Sequence, residues 1–256
     1  MMLRALPPTL LLCALLAGPA AAQRPAQTRP LTLGEQDTVY DLYLPDGPPR
    51  GAALVAHGFT RSRAQHVQLA TRLAEAGFVV AVPDLPHWTR HEANADALVA
   101  LAAEVSALPC AAALPVVLIG TSAGGLATLL AAERIAHVTL WVGLDPVDAF
   151  RQGRRAAQAL KVPALVLRAP ASACNVGGSA RRMASWLPEG HRLQRIDDAS
   201  HCDFEDHTDT RCEQICGAAD PARQAQILQI TVDAALQAVP AAPAAGAVAC
   251  VSAPRR

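Results

Sequence analysis

The sequence predicts a three-layer α/β sandwich, a mostly parallel sheet with helices on both faces. Three observations predict it. Short apolar runs alternate with helix-patterned segments along most of the chain, as parallel strands joined by helical crossovers require. The run Leu114–Ile119 leads directly into Gly120-Thr121-Ser122-Ala123-Gly124-Gly125, after which a helical pattern begins. The 256-residue chain is also long enough for one such domain with a substantial core.

The elements follow in order. Thr38–Leu44 alternates and ends at Pro45, which suits an early antiparallel strand. Ala52–Ala56 is continuously apolar, as a strand covered on both faces should be. Gln65–Ala76 has helical periodicity and stops at Gly77, a suitable C-terminal cap. Phe78–Val82 reads as a strand closed by Pro83, Ala93–Leu108 as a helix, and the strand into Ser122 follows. Val138–Leu144 is the next strand, Phe150–Leu160 a helix, and Pro163–Leu167 and His191–Ile196 are two more strands. Pro221–Ala238 forms the closing helix, with Asp220 at its cap and Pro221 in its first turn. No insertion is long enough for a large lid, so an open site is expected.

The two ends read differently. Arg4, the apolar centre Leu10–Leu16 and Ala20-Ala21-Ala22 before Gln23 have the order of a secretory signal peptide over residues 1–22. The apolar centre is too short to span a membrane as a mature helix. Residues 23–35 read as an N-terminal linker, 36–238 as the folded domain, and 239–256 as an Ala/Pro-rich tail that Cys250 could tether. Export, to periplasm or medium, is the expected destination. With Cys13 in the leader, six cysteines remain: Cys110, Cys174, Cys202, Cys212, Cys216 and Cys250. An even number in an oxidising compartment implies disulfides, although six cysteines allow fifteen connectivities. The competing reading is a metal site from His201, Cys202, His207, Cys212 and Cys216; its spacing matches no common zinc pattern, and no metal is assigned.

The formal charge is zero and the chain carries one lysine, Lys161, with no basic stripe; a nucleic-acid partner is not expected. With 4% aromatic residues the core must be built mainly from Leu, Val and Ala.

The chemistry is read from Ser122. In a strand-turn-helix setting, G-x-S-x-G presents the serine on a sharp turn with its hydroxyl exposed. A serine hydroxyl needs a neighbouring base to take its proton. His201, in Asp198-Ala199-Ser200-His201-Cys202-Asp203, lies just beyond the last strand, where a loop can bring it over the serine. The other histidines are assigned elsewhere: His57 beneath a loop, His87 beside a pocket, and His66, His91, His137, His191 and His207 at surface or loop positions. The imidazole needs a carboxylate to fix its tautomer. Asp145, at the end of Val138–Leu144, points to the same end of the sheet; Asp148 is the alternative. The strand from Pro163 ends in Arg168-Ala169-Pro170 and offers no acid. The developing oxyanion is assigned to the backbone N–H groups of Ala123 and Phe59, the latter in His57-Gly58-Phe59 after an earlier strand. Phe59, Trp88 and Trp186 are the expected apolar wall of a substrate pocket.

The order H-G-F, G-x-S-x-G-G, L-D-P-V-D and S-H-x-D resembles the α/β-hydrolases, most closely the chlorophyllase and platelet-activating-factor-acetylhydrolase-like branch, over residues 36–238. The resemblance implies a serine esterase with the triad Ser122, Asp145 and His201, acting on a small-molecule or lipid ester without a cofactor. A binding protein that keeps the fold without turnover is the alternative, as is lipase or acyltransferase chemistry on the same triad.

Overall fold

The computed structural model describes residues 26–33, 36–241 and 249–250. The signal peptide expected at 1–22 lies outside these residues. The strands are β1 (Gln27–Leu33), β2 (Gln36–Tyr43), β3 (Gly51–Ala56), β4 (Phe78–Pro83), β5 (Val116–Thr121), β6 (Val138–Leu144), β7 (Ala164–Arg168) and β8 (Arg192–Arg195). The helices are α1 (Val67–Glu75), α2 (His91–Ser106), α3 (Ala123–Ala131), α4 (Arg154–Ala159), α5 (Ser179–Ala184), α6 (Thr210–Cys216) and α7 (Pro221–Ala238).

The strands form one sheet in the order β1-β2-β4-β3-β5-β6-β7-β8. β1 and β2 run antiparallel at one edge and β3 to β8 are parallel. β3, β4 and β5 are buried along their whole length, which is why they read as continuous apolar runs. Side chains alternate between two cores. Leu54, Ala81, Leu118, Trp141 and Val166 face one core, shared with α2, α3 and α5. Val55, Val80, Ile119, Val142 and Leu165 face the other, under α1 and α7. Few aromatics are available, so Trp141 fills much of the first core and donates its indole N–H to Thr128 Oγ1 at 3.1 Å.

Three expectations are corrected. Residues 27–33, read as linker, form β1, with Gln27 opposite Leu42 and Leu33 opposite Gln36. Tertiary pairing overrides Arg29 and Pro30, and Pro30 is tolerated because β1 is an edge strand. The helix expected over Phe150–Leu160 is shortened to α4. Asp148 receives the N–H groups of Gln152 (2.9 Å) and Gly153 (2.8 Å), holding the chain in a turn until Arg154. His66, read as surface or loop, is fully buried before α1, and burial holds its imidazole neutral, with its pKa pushed down to about 3.

Three disulfides join Cys110 to Cys250, Cys174 to Cys216 and Cys202 to Cys212. The first ties residue 250 of the tail to the segment between α2 and β5. No described helix is long and apolar enough to cross a membrane.

Candidate active site

All the parallel strands deliver their following loops to one edge of the sheet, and Ser122, Asp145 and His201 lie on those loops. Ser122 follows β5 with φ 54° and ψ −121°, a left-handed conformation that is unfavourable for a side chain and is imposed by its surroundings. The turn is held on three sides. Ser122 N–H donates to Leu144 O at 3.0 Å, while Ser122 O accepts from Gly125 N at 3.0 Å and Val147 N at 2.9 Å. The neighbouring glycines are steric necessities. A Cβ at Gly120 would collide with the Gly124 backbone, and one at Gly124 with the backbone of Ala56 and His57. The serine is 9% exposed.

Asp145 closes β6 with φ 41°, and its N–H donates to Leu167 O at 2.7 Å, extending the sheet ladder by one residue. Its carboxylate is fully buried. Oδ1 accepts from Ala169 N at 3.2 Å; Oδ2 accepts from Asn175 Nδ2 at 3.2 Å and meets His201 Nδ1 at 2.7 Å. Because a carboxylate accepts, His201 carries its proton on Nδ1, leaving Nε2 for a second partner. His201 opens a 3-10 turn, His201–Phe204, capped by Ser200 and Asp203. Thr121, beside the serine, donates its hydroxyl to Phe204 O at 3.2 Å and so draws this turn against the end of β5. Asp148, the alternative acid, is occupied by the N–H groups at the entry to α4.

The loop after β3 covers the serine. A Cβ at Gly58 would lie 3.1 Å from Ser122 Cβ and 3.6 Å from its Oγ, so Gly58 lies against the serine, with Phe59 next in the chain. Ala123 is the first residue of α3, so its N–H has no acceptor within the helix. His57 lies under this loop. Leu85 N–H donates to its Nε2 at 2.8 Å, so its Nδ1–H must be the group meeting Gly58 O at 2.8 Å. Burial lowers its pKa and favours this neutral form.

Phe59 is 49% exposed and Trp88 68% exposed, and their rings meet edge to face with centroids 6.1 Å apart. Trp186 is the exception among the expected site residues. It follows the C-terminus of α5, at the opposite end of the sheet from Ser122, and packs on the core beneath α5.

Two features were missed in the sequence. Arg61 donates Nε and Nη2 to Glu205 (2.9 and 2.6 Å) and Nη1 to Asp209 at 2.6 Å. It clamps the loop after β3 to the loop bearing His201. Burial works against the Arg61 charge, but both carboxylates outweigh it and its pKa rises; burial likewise raises that of Glu205 against the pull of Arg61. The only sequence signal was charge complementarity across 144 residues, which no local pattern reveals. The second is Asn175, in Cys174-Asn175-Val176-Gly177-Gly178, whose turn composition was the available clue. The sulfurs of Cys202, Cys212 and Cys216 lie within 4.8 Å of one another, but each is already bonded in a disulfide and is not a thiolate ligand.

No family model matches the sequence, and no curated protein matches it. Solved structures do match. A dienelactone hydrolase from Anabaena variabilis superimposes with a TM-score of 0.70 at 22% identity, over 85% of this chain and 100% of that one. The esterase domain of a Rhodothermus marinus protein gives 0.66 at 17% identity, over 84% and 100%. Est1E from Butyrivibrio proteoclasticus gives 0.58 at 14% identity, over 82% and 100%. With the sheet order and the turn at Ser122, these likenesses establish that the chain has the α/β-hydrolase fold.

Proposed function

We propose that the protein is an exported serine hydrolase that cleaves carboxylic esters. The observation that carries this reading is the 2.7 Å hydrogen bond from His201 to the buried Asp145, at the sheet edge that also carries a serine on a strained strand-to-helix turn. Ser122 Oγ attacks the ester carbonyl as His201 Nε2 takes its proton. Asp145 holds the ring tautomer and stabilises the imidazolium. The N–H groups of Ala123 and Phe59 receive the oxyanion, and such donors typically contribute about 10²–10³ in rate each. The imidazolium then protonates the departing alkoxide. Water, deprotonated by the same imidazole, attacks the acyl-enzyme, and collapse of the second tetrahedral intermediate returns the proton to Ser122 and frees the acid.

The acid beyond β6 supports kinship with the chlorophyllase-like branch. The active unit is residues 36–238, with β1 added to its edge. Phe59, Trp88 and Phe150 are exposed on the loops after β3, β4 and β6, which favours an ester with an apolar portion. Three disulfides and the leader sequence support export.

The test is hydrolysis of p-nitrophenyl esters from acetyl to palmitoyl by the mature protein and Ser122→Ala. Turnover that disappears in the variant supports the proposal. Equal turnover in both removes it.

A further inference from the structure

We infer that Asn175 is a positioning residue for the reaction, its amide fixing Asp145 Oδ2 in the orientation that receives the His201 Nδ1–H. The inference rests on the esterase reading above and adds a residue beyond the triad and the oxyanion donors.

The Asn175 side chain is fully buried and its hydrogen-bonding capacity is filled. Nδ2 donates to Asp145 Oδ2 at 3.2 Å and to Pro170 O at 2.7 Å. Oδ1 accepts from Ser172 N at 2.8 Å and Gly178 N at 2.9 Å. Two donors meet two acceptors and two acceptor sites meet two N–H groups, so this network fixes which end of the amide faces the acid. Reversing it would oppose N–H to N–H and oxygen to carboxylate. Asp145 is therefore held at three points, by Ala169 N, Asn175 Nδ2 and His201 Nδ1. Without Asn175, Oδ2 has the histidine alone, and the carboxylate is held at two points, by Ala169 N on Oδ1 and His201 Nδ1 on Oδ2.

The amide is itself braced. Cys174, the preceding residue, is bonded to Cys216 in α6; Cys212, also in α6, is bonded to Cys202, which follows His201. One short helix thus ties the residue that orients the acid to the residue that the acid orients. Groups that must be held to a fraction of an ångström gain from such a frame, since a misplacement of about 1 Å can cost about 10²-fold in rate.

The Asn175→Asp variant separates positioning from loop building. A carboxylate keeps an oxygen for Ser172 N and Gly178 N, so the loop retains its turn, but it sets an oxygen where the donor to Asp145 was. Two buried carboxyls then compete for one proton, and the charge on Asp145 seen by His201 is divided. The measurements are kcat and KM for p-nitrophenyl butyrate and the melting temperature, for the wild type, Asn175→Asp, Asn175→Ala and Asp145→Asn. The expected result is a kcat lower by about ten- to a hundredfold in Asn175→Asp, with KM within about twofold, the pattern of an interaction needed in the transition state. Wild-type kcat in a folded Asn175→Asp protein overturns the inference, as does a loss confined to KM or to melting temperature. If Asn175→Ala does not fold, Asn175→Asp decides alone. Asp145→Asn separates the two levels: its full activity removes Asp145 as the acid and the inference with it, whereas its collapse beside an unimpaired Asn175→Asp sinks only the role of Asn175; a folded wild type without turnover sinks the esterase reading itself.

Discussion

Asp145 and Asp148 are three residues apart and both fully buried, yet the structure gives them unlike tasks. Asp145 is paired with an imidazole and an amide, Asp148 with backbone N–H groups at the entry to α4. Asp145→Asn should lower kcat by about 10³–10⁴, the scale at which an orienting carboxylate acts. Asp148→Asn should act mainly on stability, by about 1–3 kcal/mol for impaired buried hydrogen bonds. Steady-state kinetics and thermal melts on the pair check this, and the reverse assignment would move the acid. At the crevice mouth, Trp88→Ala should raise KM several-fold for long-chain esters and little for acetate, because the exposed ring offers apolar contact area. The places of three candidate residues in the fold were legible because each follows an element: Ser122 and Asp145 each after a strand, His201 after the last. Asn175 and Arg61 were not, because their partners are distant in sequence and chosen by the fold.

Elements with a single strong period were read correctly, and α7 runs over the expected Pro221–Ala238 because its cap, first-turn proline and apolar face agree. Short elements escaped. β1 is an edge strand, α5 has six residues and α6 buries none of its seven, so neither propensity nor periodicity marks them. α6 is held instead by its bridges. The pairs Cys202–Cys212, Cys174–Cys216 and Cys110–Cys250 close loops of 10, 42 and 140 residues. Chain entropy gives upper values of about 3, 4 and 5 kcal/mol respectively. Replacing Cys110 and Cys250 by serine should lower the melting temperature and leave kcat unchanged, whereas replacing Cys202 and Cys212 should lower kcat as well, because that bridge adjoins His201. Equal kcat in both double variants would contradict the bracing of the histidine turn.

At the scale of the whole molecule, the fold brings distant charges into the space between α1 and the loop after β8. Asp206 lies at the N-terminus of α1 and accepts from Leu69 N at 2.7 Å. Burial nevertheless raises its pKa to about 7, against the pull of the helix N–H groups. The folded state thus holds a proton that the unfolded chain releases near pH 4, so this group's contribution to stability declines as pH rises from about 4 to 7. Asp206→Asn should raise the melting temperature relative to wild type at pH 8 and change it little at pH 4. A gain confined to pH 4 would refute that sign. Only the folded chain shows this coupling, whereas the alternation of strands and helices that makes the sheet was visible throughout the sequence.

The most direct test of Ser122 as the nucleophile is covalent labelling with a fluorophosphonate followed by peptide mapping. One equivalent should bind at Ser122 and none in Ser122→Ala, with labelling slowed about a hundredfold or more in His201→Ala. Absence of an adduct on the folded wild-type protein, or an adduct on another residue, would contradict that role.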